Sequence, residues 1–157
     1  MEIAGSAALV TGAASGLGAA TAAALAARGA TVYGLDLERS LADASVPDGV
    51  TLLAADVTEE AGVRAALARI DDDGQQLRLA VNCAGIAPSA RIVSRRGPHD
   101  LDLFRTVVGV NLVGTFNVVR LAADAMSELA SESMSQRLRA ASQRLRAAPT
   151  ERSEGER

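Results

Sequence analysis

The sequence predicts an α/β fold, a doubly wound parallel sheet, and three observations carry that expectation. Short apolar runs without polar alternation recur along the chain, helix-like stretches separate them, and a glycine-rich turn joins the first run to the first helix. Runs of that kind read as strands covered on both faces. Strand–helix–strand order then implies right-handed crossover units on one sheet. At 157 residues there is room for one globular domain and little for a second.

The four strands are expected over 6–11 (SAALVT), 30–35 (ATVYGL), 50–55 (VTLLAA) and 77–82 (LRLAVN). The first helix is placed at 17–28, a stretch with no proline and almost continuous alanine. A second spans 59–70, where Val63, Ala66, Leu67 and Ile70 repeat at helical spacing. Thr58 is its expected N-cap, with Glu59 and Glu60 as an acidic first turn. A loop with Pro88, Gly97 and Pro98 follows the fourth strand, then two helices, about 100–108 and 110–130. The character changes from Ser131, where SQRLRAA at 135–141 recurs at 142–148. The organisation is therefore a domain over 1–130 and an Arg/Ser/Ala-rich tail over 131–157. The tail reads as a solvated, partly helical segment; the alternative is a short seam for a partner helix, since two heptads fall short of a coiled coil.

Composition narrows the function classes. Apolar residues make up 48% of the chain, but 33 are Ala and only three are aromatic, so the core must rely on close backbone approach. A net charge of −3 disfavours nucleic-acid binding, which calls for a basic excess. The single Cys excludes an internal disulfide framework and, with no basic start that would mark a signal peptide, points to the cytoplasm. No contiguous apolar run nears the roughly 18 residues of a membrane span, so no membrane partner is expected. No metal-ligand motif is read. All 16 basic residues are Arg, and Lys is absent.

The chemistry sits at the strand ends. In Thr11-Gly12-Ala13-Ala14-Ser15-Gly16-Leu17-Gly18, Gly12 permits a tight turn, Gly16 lets the backbone approach a pyrophosphate, and Gly18 lets the helix pack close to the sheet. The helix N-terminus offers free N–H groups to phosphate. Asp36, 18 residues past Gly18, can accept from a ribose 2′-hydroxyl and would repel a 2′-phosphate, which favours NAD over NADP. Arg39 keeps NADP open, and a plain turn-capping Asp is the bland alternative. Asp56-Val57 and Asn82-Cys83-Ala84-Gly85 close the third and fourth strands, where open α/β sheets bind ligands. Asp56 could accept from an adenine amino group. Cys83 reads as a small packing residue, with no basic neighbour in sequence to activate it. His99, the single His, reads as a helix-start or surface residue.

Taken together, these motifs and Asn111 resemble the short-chain dehydrogenase/reductase family over residues 1 to about 127, a Rossmann fold. AVNCAGIAPSA and GVNLVGTFNVVRLAA are most similar to the branch that holds type 2 3-hydroxyacyl-CoA and 17β-hydroxysteroid dehydrogenases. That resemblance implies NAD contacts from Ser15, Leu17, Asp36, Asp56, Val57 and Cys83, and a place for Asn111 in a water-mediated proton relay; a plain helix-start Asn is the alternative. It implies an alcohol, ketone or acyl-CoA substrate and self-association through the long helix. The family's chemistry also needs a Ser, and a Tyr with a Lys four residues later. The one Tyr here is Tyr33, inside the second strand, and there is no Lys. The expectation is thus an NAD-binding portion that stops after the fourth strand and its following helices, inactive alone. Activity by complementation with another chain and a non-enzymatic interaction module are the alternatives.

Overall fold

The computed structural model describes residues 2–95 and 97–127, with 135 and 139. The tail repeat lies almost wholly outside them. The elements below belong to the compact unit Met1–Met126, apart from the last residue of the long helix, Ser127.

Strands β1 (Ala7–Thr11), β2 (Thr31–Asp36), β3 (Val50–Ala54) and β4 (Leu77–Asn82) form one parallel sheet in the order β3-β2-β1-β4. Helices α1 (Gly16–Ala26) and α3 (Glu60–Asp72) are crossovers, while a single turn, α2 (Glu38–Leu41), lies between β2 and β3. The expected fold class and strand positions hold. β1 is buried at every residue, as its unbroken apolar run required.

Alternation along the strands sorts the core into two layers. Ala7, Leu9, Tyr33 and Leu35 face one way and pack with Val63, Ala66 and Ile70 of α3 and with Val118, Leu121 and Ala122. Ala8, Val10 and Val32 face the other way, against Ala22 of α1. Small side chains on α1 let its backbone come near the sheet, which is how an aromatic-poor chain excludes water from its centre.

Two local expectations fail. Thr58 does not cap α3: its amide and its hydroxyl both donate to Asp56 Oδ1, at 2.9 and 2.7 Å, and the cap position passes to Glu59. The two helices expected over 100–130 are also one. α4 (Leu101–Val108) widens into a π-helical segment, Gly109–Gly114, and continues, giving a helix over Leu101–Ser127. A π segment absorbs one extra residue without breaking the helix, so the glycines at 109 and 114 do not end it.

By length and composition this 27-residue helix passes the test for a membrane span, a test that the core helix of a globular domain also passes. Asn111, Asn117 and Arg120 interrupt its apolar sequence. Its inner stripe, Val118, Leu121 and Ala122, belongs to the sheet's core.

Candidate functional site

The carboxyl ends of β1 and β4 meet through one side chain. Thr11 is buried, and its Oγ1 accepts from the amides of Cys83 and Ala84, each at 3.1 Å. This fixes the glycine turn against the Asn82–Gly85 segment and leaves a crevice with two defined walls.

Glycine is required here by contact as well as by torsion. Gly12 has φ +69°, and a Cβ there would lie 2.8 Å from Ala84 N. At Gly18 a Cβ would collide with the Gly12 carbonyl, so α1 can start this close to β1 only without one. Around Gly16, with φ +54°, the space a Cβ would take is open. Ser15 sits at the N-cap with no side-chain cap bond, and α1 has no acidic residue in its first turn. Its first N–H groups, which lack intrahelical partners in any helix, are therefore not taken by a Ser15 cap or by an acidic side chain of the first turn. Leu17, 81% exposed, lies beside them.

Asp36 closes β2 and reaches back to the turn. Its Oδ2 accepts from Ala14 N at 3.0 Å and its Oδ1 from Leu37 N at 2.8 Å. A carboxylate has about four acceptor sites, so lone pairs remain for a diol. Asp56 is similarly half used: Oδ1 holds Thr58. Val57 is buried, and its carbonyl accepts from Asn117 Nδ2 at 2.8 Å. Asn82 Oδ1 is buried without a partner among the described residues, a polar atom placed beside the crevice and left open. Cys83 is half-buried with a free thiol.

Asn111 sits in the π segment and clamps the chain leaving β4. Its Oδ1 accepts from Ile86 N, its Nδ2 donates to Ile86 O, both at 2.9 Å, and its own carbonyl is taken by Thr115 Oγ1. A Cβ at Gly85 would come within 3.1 Å of Asn111 Oδ1, so these two positions are fitted to one another.

Tyr33 plays no part in the crevice. It is 1% exposed, and its hydroxyl donates to Asp73 Oδ2 at 2.8 Å, just past the end of α3. Burial, reinforced by the Asp73 carboxylate, pushes its pKa up to about 12. The same bond, with the Arg69 guanidinium, holds Asp73 below the usual carboxylate range. No three His, Cys, Asp or Glu side chains converge as a metal-ligand set among the described residues.

Reading the sequence missed Thr11 and Asn117. Thr11 opens the glycine motif and could have been suspected as a buried polar residue needing a partner. Asn117 lies among the apolar residues of the long helix, where a polar side chain in a buried stripe is the available signal.

The family model described as short chain dehydrogenase matches residues 6–134. The chain belongs to this family. Among curated relatives of this short-chain dehydrogenase, 3-hydroxyacyl-CoA dehydrogenase type-2 of Bos taurus is 41% identical over 132 residues, covering 81% of this chain and 51% of the relative. The Drosophila melanogaster protein of the same name is 44% identical over 123 residues, covering 75% and 48%. The chain spans about half the length of the curated relatives it matches. Among solved structures, an aldohexose dehydrogenase of Thermoplasma acidophilum superposes with a TM-score of 0.68 at 25% identity, covering 79% of this chain and 45% of that one. A dehydrogenase/reductase of Sinorhizobium meliloti gives 0.65 at 26%, covering 78% and 51%. As a short-chain dehydrogenase the chain has a nicotinamide cofactor as its expected ligand. The open space at Gly16, the uncapped N-terminus of α1 and the spare lone pairs of Asp36 fit such a dinucleotide.

Proposed function

We propose that this chain is the NAD(H)-binding portion of an oxidoreductase acting on the CH–OH group of 3-hydroxyacyl-CoA or hydroxysteroid-like substrates. The observation that carries the reading is the crevice at β1 and β4, closed by Thr11, lined by Gly12 and Gly18 where a Cβ would strike backbone, and bordered by Asp36.

In this reading the N–H groups of Ser15, Gly16 and Leu17 bind the pyrophosphate, with Gly12 and Gly18 keeping the turn tight. Asp36 accepts from the adenosine ribose hydroxyls while still pinning Ala14, and its charge disfavours a 2′-phosphate. Asp56 Oδ2 and the Val57 backbone border the adenine. Asn82, Cys83, Ala84 and Gly85 line the far wall. When bound, the nicotinamide supplies a hydride acceptor or donor. Asn111 holds Ile86, and through it the start of the loop beside the reacting end. It is the residue here nearest to a catalytic role, as a water-positioning group.

Proton transfer at the carbinol calls for a tuned acid/base, worth ~10²–10⁴-fold. Tyr33 is buried and committed to Asp73, and Lys is absent, so the chain alone is proposed to bind the cofactor without turning over. Complementation by another chain is the second reading. It is favoured by β4, which pairs with β1 on one side and with no described strand on the other. The exposed apolar face of the long helix favours self-association, and a cytoplasmic location remains part of the proposal.

Titration calorimetry with NAD, NADP and ADP-ribose tests the cradle. NAD and ADP-ribose should bind, and NADP should bind more weakly. A folded chain giving no heat with either of the first two ends this reading.

A further inference from the structure

The turn that follows β3 is held from outside. β3 is an edge strand, and the bond from Ala55 N to Asp36 O, at 2.9 Å, ties the chain to β2 one residue before Asp56. Beyond it the bonds are local: Thr58 donates twice to Asp56 Oδ1, and Glu59 N donates to Asp56 O at 3.0 Å. Local bonds set the shape of a turn but not its place, because both partners move together. Among the described residues, the hydrogen bond that fixes its place comes from the long helix. Asn117 Nδ2 donates to the Val57 carbonyl at 2.8 Å, across 60 residues of chain. One helical turn earlier, Gly114 leaves room for the Val57 side chain, since a Cβ there would come within 2.7 Å of Val57 Cγ2.

The peptide unit joining Val57 to Thr58 carries this constraint further. It is planar, so the direction of the Val57 carbonyl also sets that of the Thr58 N–H. That N–H donates to Asp56 Oδ1 at 2.9 Å. Asn117 therefore reaches the Asp56 carboxylate through one rigid plane, and Oδ2 carries none of these bonds. The Asn117 amide is itself fixed: its Oδ1 accepts from Arg120 Nη2 at 2.8 Å, and a guanidinium only donates, so the amide nitrogen must face Val57. Arg120 is anchored in turn by Glu60, in the first turn of α3. Asn117 is 6% exposed, beside Val118, Leu121 and Ala122 of the core. A buried amide is costly to desolvate unless paired, and its apolar neighbours already supply packing. What the amide adds is direction.

We infer that Asn117 is a positioning residue for base recognition: with Gly114 it holds the Val57–Thr58 peptide and thereby aims Asp56 at the adenine amino group. The inference rests on the proposed function, in which Asp56 Oδ2 and the Val57 backbone border the adenine. A carboxylate oxygen accepts from the amino group of adenine and repels the oxygen that hypoxanthine carries at the same place. Asn117 acts through Asp56, so its effect is read in the preference for an amino-bearing purine.

The test is calorimetry on the full chain with ADP-ribose and with inosine diphosphate ribose, which differs in the base alone. The wild-type chain should bind ADP-ribose about ten-fold more tightly. Asn117→Asp keeps the acceptor for Arg120 but loses the donor to Val57, and should shrink that ratio about five-fold, almost wholly through weaker ADP-ribose binding. Gly114→Ala, which pushes on Val57, should shrink it in the same sense. Ile70→Val, which loosens the core away from the turn, should leave the ratio unchanged. Equal losses for both ligands in the Asn117 and Gly114 variants, or an equal fall in the ratio with Ile70→Val, overturn the inference. Should neither of the first two variants fold, Arg120→Met decides, at a side chain 37% exposed. It frees the Asn117 amide to turn and should lower the ratio about three-fold; an unchanged ratio overturns the inference. A wild-type chain that binds neither ligand strikes the cradle instead, and one that binds both alike strikes the placing of Asp56 at the adenine. Both results come from the wild type alone and are read separately.

Discussion

Thr11, Gly12 and Gly18, at the carboxyl end of β1, meet their neighbours at backbone distance, whereas Leu112, Phe116 and Val119 on the long helix stand 48–65% exposed. Both regions are rich in small or apolar residues, yet they are built for different contacts. At the glycine turn each missing Cβ is required by another backbone already in place, so its shape is settled within the chain. The helix is settled only on its inner side, by Val118, Leu121 and Ala122 in the core and by Asn117 on the Val57 carbonyl. Its outer side is apolar without being packed. Substitutions in the first region should therefore act on folding and cofactor binding together, and those in the second on association.

The largest expected effect is at Gly18. Gly18→Ala drives a methyl into the Gly12 carbonyl and should cost roughly 3–5 kcal/mol, as overpacking at fixed backbone does in severe cases. Denaturant unfolding should show the loss, and ADP-ribose binding should vanish. A variant with wild-type stability and binding would mean that the turn can yield, and the contrast between the two regions would fail. Thr11→Val comes next. It leaves the amides of Cys83 and Ala84 without their acceptor in a part-buried place, for about 2–3 kcal/mol, and should weaken NAD binding by loosening the far wall.

Tyr33 sharpens the comparison from within the core. Its pKa is raised to about 12, so the folded chain keeps the phenol proton after the unfolded chain has released it near pH 10. The associated stability is whole below pH 10 and is lost as pH rises to about 12, a fall on the order of 2 kcal/mol. Chemical unfolding across that window should show it, and Tyr33→Phe should flatten the curve. The smallest effect belongs to the outer face. Phe116→Ser, at a side chain 65% exposed, should move stability by no more than about 0.5 kcal/mol. Sedimentation should nevertheless show less self-association, and an unchanged oligomer would remove this face from the interface.

Much of this molecule could be read from residues in a row. The four strands and the glycine turn follow from local pattern, because short apolar runs between helical stretches read as strands, β1 and β2 being the ones buried on both faces, and a tight turn into a helix needs glycine. The division of labour at Asp36 could not be read that way. Its place after β2 suggested a ribose acceptor, and only the fold brings Ala14 N within 3.0 Å and adds a structural duty. Thr58 illustrates the converse: its type and place suggested a cap, but Asp56, two residues earlier, captured the hydroxyl first. The continuity of the helix through Gly109 and Gly114 also escaped local reading. Asn111, inside the π segment, clamps Ile86, and a Cβ at Gly114 would strike the Val57 side chain at 2.7 Å.

Sequence by itself determined the kind of sheet, the order of its elements and the residues at its ligand-facing ends, since each depends on near neighbours and on periodicity. Tertiary structure alone decided which of those residues support one another: Thr11 with Cys83 and Ala84, Asn111 with Ile86, Asn117 with Val57, Tyr33 with Asp73. These pairs lie between 25 and 73 positions apart along the chain. A hydrogen bond acts over about 3 Å, so such partners are known only once folding has closed the distance.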